Sequence, residues 1–336
     1  MFDTVTKLDL QLFAEPYSYN ANTTSQTQSG QDMSPTMKEF YDTALLENAR
    51  DVLVFNQFGD EQSIKGNKVE WRKFNTFDKA LTPLTEGVTP SGQKFGMTKI
   101  EATTSQHGTY TTVTDRLELE SYDDIIYGAT EEMGASGGAT LDTLTRNVLI
   151  QGNSVLYAPT SAGVEVTSRA GLDGTCLMTP QLVHRGATWL KKNLAPKING
   201  CFVCLIHPSV AHDLTETDEW KSYHIHTNPT PIFKGEIGEM HGVRFVESNE
   251  CKVHAKNAKG VATYDSIMLG YHAYGVIKPN GESMKMIIKP KEVAGGPLEL
   301  YSTIGYKFCH GAKILYEERM LRIETSSSFG TADVEN

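Results

Sequence analysis

The chain has 336 residues, 39% of them hydrophobic, which is enough to bury a sizeable core, and at this length one core usually gives way to two lobes. A formal net charge of -10 and a pI near 5.5 argue against a protein whose work is to grip phosphate backbones, and no basic stripe with interleaved aromatics stands out along the chain. Five scattered cysteines do not make a secreted disulfide framework and fit a reducing compartment, and no stretch approaches the roughly 20 apolar residues of a membrane span.

The N-terminus, MFDTVTKLDLQLFAE, lacks a basic leader, and Asp9 and Gln11 interrupt its apolar run, so it does not read as a signal peptide. Leu8, Leu10, Leu12 and Phe13 form a short sticky cluster followed by a polar tract at 17–32 with almost nothing to bury. That is an arm: either a peptide that docks on something else or a frayed terminus. Ser34-Pro35 then marks a helix start, and Met37, Phe40, Tyr41, Ala44, Leu45, Val52 and Leu53 trace one helical face towards Asn56, ending near Gly59.

From Lys68 to Thr114 the pattern changes to two extended segments, KVEWRKFN and FGMTKIEATT, around a turn-rich tract with Pro83, Gly87, Pro90 and Gly92. Charged and apolar residues mix on both strands, so neither face makes a core of its own. A lone two-stranded ribbon is marginal in water. The pattern predicts a long hairpin whose missing third surface belongs to another copy of the chain.

Between 118 and 152, Ile126, Ala129, Met133, Leu141, Leu144 and Val148 recur at steps of three, four or eight, one stripe of a helix. Ser121 is placed to cap it, Asp123 and Asp124 complement the positive end of its dipole, and Arg146 lies near the other end. About thirty residues reach roughly 45 Å, so the segment predicts a spine. Gly134, Gly137 and Gly138 each cost about 1 kcal/mol relative to alanine. Either another backbone packs closely there, or the helix bends, or a Gly-Gly turn divides two ordinary helices.

Beyond it, 155–177 reads as loop, Thr179-Pro180 opens a helix, CFVCLI is a buried strand, and Pro208 begins a further helix. VRFVE, SIMLG, AYGVIK and MKMIIKP follow as strands, making 155–283 a compact α/β lobe. The segment 301–324 predicts long strands returning to lie against the spine, with a loose polar tail after it.

No chemistry assembles. Cys201 and Cys204 form a single CxxC whose members point to opposite faces of a strand, which is burial rather than a metal or redox pair. His207 and His212 are five apart, on poorly matched helix faces, whereas a zinc-protease helix needs them four apart with a glutamate between. His224 and His226 share one side of an expected strand. A phosphate loop, a nucleophile elbow and a dinucleotide fingerprint are all missing from the sequence. No cofactor or metal is expected, and the chain does not read as an enzyme.

Several blocks carry a family resemblance. NQFG (56–59), VEWRKFN (69–75), PLTEGVTPSGQK (83–94), TVTD (112–115) and LDTL (141–144) resemble the N-four-like family of tailed-phage major capsid proteins, as do IHPSVA (206–211), GEIG (235–238), GVRFVE (242–247) and STIGYK (302–307). They occur in order from about Leu10 to Ile323, and PLTEGVTP with its flanking strands is the most specific. The resemblance implies an α+β chain of the Hong Kong 97 (HK97-like) capsid fold: arm 1–34, first helix and start of the peripheral domain 35–66, extended loop 67–114, spine helix 115–154, axial domain 155–283, returning β-layer 284–325 and tail 326–336.

It also implies a structural protein of the virion, made in the host cytoplasm and closing into hexamers and pentamers of an icosahedral head. Its partners would be other copies, a portal, scaffold or decoration proteins, and packaged double-stranded DNA held without sequence preference. No membrane is involved. Inter-subunit contacts are expected from the extended loop, at Lys68, Glu70, Trp71, Arg72, Phe74, Leu84, Glu86, Lys94, Phe95 and Lys99, and from the arm, at Leu10, Leu12 and Phe13. Two rivals are an encapsulin-like nanocompartment shell, which would enclose an enzyme, and a metal hydrolase using His207, His212, His224 and His226.

Overall fold

The computed structural model describes residues 54–330 and 333–336, without 65, 76, 85, 90, 122, 123, 227–235 and 280–283, together with the backbone of a two-residue strand, β1 (Tyr19–Asn20). Leu10, Leu12, Phe13 and all but the final turn of the helix expected from Ser34 lie outside the described residues.

After that turn come β2 (Asp60–Ile64) and a hairpin of β3 (Lys68–Phe74) and β4 (Met97–Thr103). Only Thr104 separates β4 from β5 (Ser105–Thr114), which pairs elsewhere, so the two-stranded ribbon ends at Thr103 and not at 114. The spine divides at charge, not at glycine. In α1 (Asp115–Glu120) the Thr114 hydroxyl accepts the Leu117 N–H at 3.4 Å, and Ser121, expected to start the long helix, is instead the C-cap of this short one.

The long helix α2 (Ile125–Leu149) starts beside Asp124, whose carboxylate accepts the Tyr127 N–H at 3.1 Å, and it runs unbroken through Gly134, Gly137 and Gly138. A Cβ on Gly137 would collide with the Met284 sulfur and the Tyr306 ring. Side chains, not a second backbone, therefore fill the space the glycine leaves.

The segment after α2 holds a short strand, β6 (Val155–Tyr157), and then α3 (Pro180–Lys192), capped by the Thr179 hydroxyl with proline in the first turn. Next come β7 (Phe202–Ile206), α4 (Pro208–Glu216) and α5 (Asp218–His226). His224 and His226 thus stand on a helix and not on the strand expected for them. The rest of the chain supplies β8 (Glu236–Met240), β9 (Val243–Glu247), β10 (Val253–His254), β11 (Thr263–Leu269), β12 (Tyr274–Pro279), β13 (Lys285–Lys289), α6 (Lys291–Ala294), β14 (Tyr301–Ile314) and β15 (Met320–Thr325).

Two compact units result. One comprises Met1–Ala49, Gly108–Gly137 and Met284–Lys307. In it β1 pairs in parallel with β5, β5 neighbours β14, and β14 pairs antiparallel with β13. Val113, Leu117, Ile125 and Ile304 form its small core, with Ile126, Ala129 and Met133 of α2 packed against them.

The other unit comprises Arg50–His107, Gly138–Ser283 and Phe308–Asn336. Its larger sheet runs β6-β15-β11-β7-β9-β8, with β10 on β11. The alternate residues of β7 feed two cores: Phe202, Cys204 and Ile206 one, Val203 and Leu205 the other. Burial on both faces explains why this strand is a continuous apolar run.

Three expectations are corrected here. RMLRIE does not join β13 and β14 in one layer but is β15, held between β6 and β11; Leu321 and Ile323 enter one core and Met320 the other, beside Leu149 at the end of the spine. AYGVIK is β12, which joins β2 and the second half of β14, and MKMIIKP is β13 of the first unit, so neither belongs to the sheet that makes up the body of 155–283. The tail is docked, not loose. Ser327 Oγ donates to the Ser209 carbonyl (2.8 Å), the Ser328 N–H to Asp213 (3.0 Å), and Asn336 Nδ2 to the Cys251 carbonyl (3.0 Å).

Candidate assembly surface

The ribbon is built so that its two faces differ. Cross-strand partners run from Lys68↔Thr103 to Phe74↔Met97, and with side chains alternating, Val69, Trp71 and Lys73 share a face with Ala102, Ile100 and Thr98. That face meets the ribbon's own chain: Val69 and Ala102 are buried with Ile277, and the Trp71 indole lies on Gly275 close to Leu315. Lys73 continues the contact, 3.2 Å from Glu318 and over the Tyr316 ring. The ribbon root therefore has its third surface within the same molecule, contrary to the expectation that only another copy supplies it. Trp71, expected at a subunit contact, is part of that internal packing.

The opposite face presents Glu70, Arg72 and Phe74 with Glu101, Lys99 and Met97. Like charges stand directly across from each other, Glu70 opposite Glu101 and Arg72 opposite Lys99, an arrangement that is unfavourable taken pair by pair. One diagonal contact and two along the strands resolve it. Lys99 Nζ bridges Glu70 (2.8 Å) and Glu101, while Arg72 reaches Glu70 at 3.2 Å. The Lys99 hydrogen bond holds the Glu70 carboxyl below its usual pKa, and the bond to Glu101 raises that of Lys99. These exposed pairs fix register more than they add stability.

Beyond the strands, Asn75 N–H donates to the Gly96 carbonyl at 3.0 Å, and the Gln93 side chain donates to the Asp78 carbonyl at 2.8 Å. Among the described residues of the tip between them there is no helix or strand. Phe74 and Phe77 both lean on Phe95, with ring centroids 5.0 and 5.9 Å apart, yet all three stay more than half exposed. Leu81 is 85% and Leu84 76% exposed, and Val88 and Met97 add to the same uncovered apolar set.

Lys68, Glu86 and Lys94 are exposed, as expected of contact residues, while the arm residues Leu10, Leu12 and Phe13 fall outside the described part. Phe77, Leu81, Val88 and Met97 were not singled out from the sequence. Their signal was there: large apolar residues within or at the edge of a Pro- and Gly-punctuated tract that offers no core to bury them.

Two of the four histidines of the alternative chemistry are held in local contacts. His207 Nδ1 accepts the Ser209 N–H at 3.2 Å as the cap of α4, and His212 stacks on Phe329. Among the described residues no three His, Cys, Asp or Glu side chains are grouped to hold a metal ion. Cys204 is fully buried, its thiol pKa pushed far up by desolvation, and Cys201 donates to Glu239 on a different surface of the sheet. No helix among the described residues is long and apolar enough to cross a membrane.

The α+β fold matches that of HK97-like phage capsid proteins, and solved capsids superpose on about nine-tenths of the chain. The capsid of Ralstonia phage GP4 matches with a TM-score of 0.66 at 15% identity, covering 90% of this chain and 98% of that one. The cyanophage Pam1 capsid gives 0.66 at 11%, covering 91% and 100%, and the cyanophage P-SCSP1u capsid gives 0.64 at 15%, covering 92% and 100%. Residues 151–285, the greater part of the α/β body, match the model of the phage capsid protein family. No curated protein matches the chain.

Proposed function

We propose that this chain is the major capsid protein of a tailed bacteriophage, a structural subunit without enzymatic activity that closes into hexamers and pentamers of an icosahedral head around double-stranded DNA. The observation that carries the reading is the pairing of a capsid fold over about nine-tenths of the chain with a ribbon whose tip exposes Phe74, Phe77, Leu81, Leu84 and Phe95. A monomer gains nothing from that display, and a patch of this kind marks a protein contact.

The mechanism is multivalent. The ribbon root is fixed on its own body by Val69, Trp71 and Lys73, so the tip is held out at a defined angle to lie over a neighbour, and the outer charges of Glu70, Arg72 and Lys99 set the register. Contacts that are weak singly become strong when every subunit gives and receives one. The arm residues Leu10, Leu12 and Phe13 are a second proposed contact, and a portal, scaffold or decoration protein completes the head. Negative-stain electron microscopy of the expressed chain tests the reading: shells or hexameric capsomers support it, and a monodisperse monomer at high concentration under every salt condition overturns it.

A further inference from the structure

The sheet of the first unit has two unlike faces. Met286, Ile304 and Tyr306 point towards α2, where Met286 approaches Gly134 and Tyr306 lies against Gly137. By the alternation of the strands, Lys285, Ile287 and Lys289 of β13 and Thr303, Gly305 and Lys307 of β14 look the other way, in register as Lys285↔Lys307, Ile287↔Gly305 and Lys289↔Thr303. On β5 the same face carries Gly108 and Tyr110: a Cβ on Gly305 would touch Tyr110, and one on Gly108 would touch Lys307.

This face is cationic against the trend of the molecule. The chain carries 41 acidic residues, yet β5, β13 and β14 contain no Asp or Glu at all. Lys285, Lys289 and Lys307 are all exposed, and among the described residues none of the three lies in an ion pair. Lys285 stands directly opposite Lys307, about 5 Å away at the backbone, and Lys289 is about 13 Å further along the strand. Two facing ammonium groups without a carboxylate repel each other unless an anion lies over them. The glycines keep the middle of the face low, and Tyr110, 54% exposed, adds a hydroxyl and a ring beside the lysines.

We propose that this face, Lys285, Lys289 and Lys307 with Tyr110, is a contact for the phosphate backbone of double-stranded DNA. It rests on the capsid reading and assigns the residues by which the shell meets its contents. Duplex DNA presents a charge every ~1.7 Å of axis, so flexible lysine stems on a flat surface engage it at any sequence. Acidic residues of a second copy are the other candidate anion, and the test below separates the two. The linear sequence hides the site because its lysines come from segments more than fifteen residues apart and meet only through strand register.

The test compares the full-length, unassembled wild-type chain with K285Q/K289Q/K307Q, with the Lys→Arg triple at the same positions, and with a charge-matched control, K191Q/K192Q/K256Q. Binding of a fluorescein-labelled 30-base-pair duplex is measured from 50 to 200 mM NaCl, with thermal melts to show that all four fold. The glutamine triple is expected to lose about tenfold or more in affinity at 50 mM salt and to flatten the slope of log K against log salt by about 2.7, with the arginine triple and the control near wild type. Equal losses in the control, or no loss in the triple, overturn the assignment. So does a triple that binds DNA normally and no longer forms shells, because the face is then a protein interface. Failure of wild type to form shells refutes the capsid reading separately and leaves the DNA comparison intact.

Discussion

The carboxylate of Asp142, on the spine helix, accepts the backbone N–H of Val54 at 3.0 Å across 88 residues of sequence. Burial raises its pKa to about 6, although the N–H groups of Val54, Phe55 and Asn56 all act to lower it, and Glu250 adds to the rise. One helical turn on, Thr145 bonds both Asn56 (2.9 Å) and His310 Nε2 (3.0 Å). Desolvation lowers the His310 pKa to about 4. The helix thus grips the turn that leads into β2 and the ribbon through Asp142 and Thr145, and Thr145 also holds His310, whose pKa moves in the opposite sense to that of Asp142.

Their linkage to stability has opposite signs. Asp142, with a raised native pKa, contributes stability that is present below about pH 4 and is lost as pH rises through about 6; His310, with a lowered one, contributes stability that is present above about 6.5 and is lost as pH falls towards 4. Between pH 7 and 5 the first gains about 1.4 kcal/mol and the second loses nearly 2, so wild type changes little. Asp142→Asn should steepen acid destabilisation, and His310→Gln should make the protein more stable at pH 5 than at pH 7. Urea unfolding at the two pH values checks both, and two variants with the pH profile of wild type would sink the assignment.

The glycines of α2 separate in a second experiment. A Cβ at Gly134 would meet only the Met286 methyl, at 3.9 Å, so Gly134→Ala should gain the helix propensity of alanine, about 0.5–1 kcal/mol. At Gly137 the Met284 sulfur and the Tyr306 ring occupy the space, and overpacking of about 1–3 kcal/mol outweighs the same gain. Thermal melts should therefore move in opposite directions for two alanines three residues apart. Equal shifts would show that the helix and the sheet strands are not packed as described.

Much of this architecture was legible from the chain. The 3.6 beat of α2, the Thr179-Pro180 and Pro208 helix starts and the two-sided run of β7 each follow from local pattern. What failed depended on partners distant in sequence. RMLRIE alternates like a half-buried strand and gives no hint of which sheet takes it; its polar face is covered because Arg322 and Glu324 meet Arg169 and Asp265 inside the fold. Trp71 looked like a projecting contact because Gly275, which leaves room for its ring, lies two hundred residues away. The tail looked loose because a run of serines has no apolar signal, and its anchors are carbonyls and Asp213.

That ion network yields a third prediction. Arg169 makes a bidentate pair with Glu324 at 2.8 and 2.7 Å and approaches Asp265, while His254 Nε2 lies 2.9 Å from Asp265. Glu324 and Asp265 are buried, so Arg169→Ala leaves only Arg322 and His254 beside two carboxylates that water does not reach. The cost should be about 3 kcal/mol. Arg169→Lys keeps the charge and loses the fork, and should fall between the two. Denaturant midpoints with unchanged m-values measure it, and a loss below about 0.5 kcal/mol for the alanine variant would mean the pair is not closed in solution.

The last prediction turns on the two faces of the ribbon. Trp71 packs on Gly275 within its own chain, so Trp71→Ala should lower the stability of the isolated protein by about 2 kcal/mol, less than a fully buried tryptophan costs because the side chain is only partly covered. Phe77, Leu84 and Phe95 touch nothing that the monomer needs for its core. Aspartate at any of them should leave the unfolding free energy of the monomer within about 0.5 kcal/mol of wild type. Assembly should respond the other way. Phe95→Asp and Leu84→Asp should abolish shells in electron micrographs, because a desolvated carboxylate without a partner is costly at every copy of a repeated contact. Trp71→Ala should still assemble at temperatures where it is folded. If Phe95→Asp and Leu84→Asp built normal shells while Trp71→Ala did not, the contact between subunits would lie at the ribbon's root and the exposed tip would have no part in it.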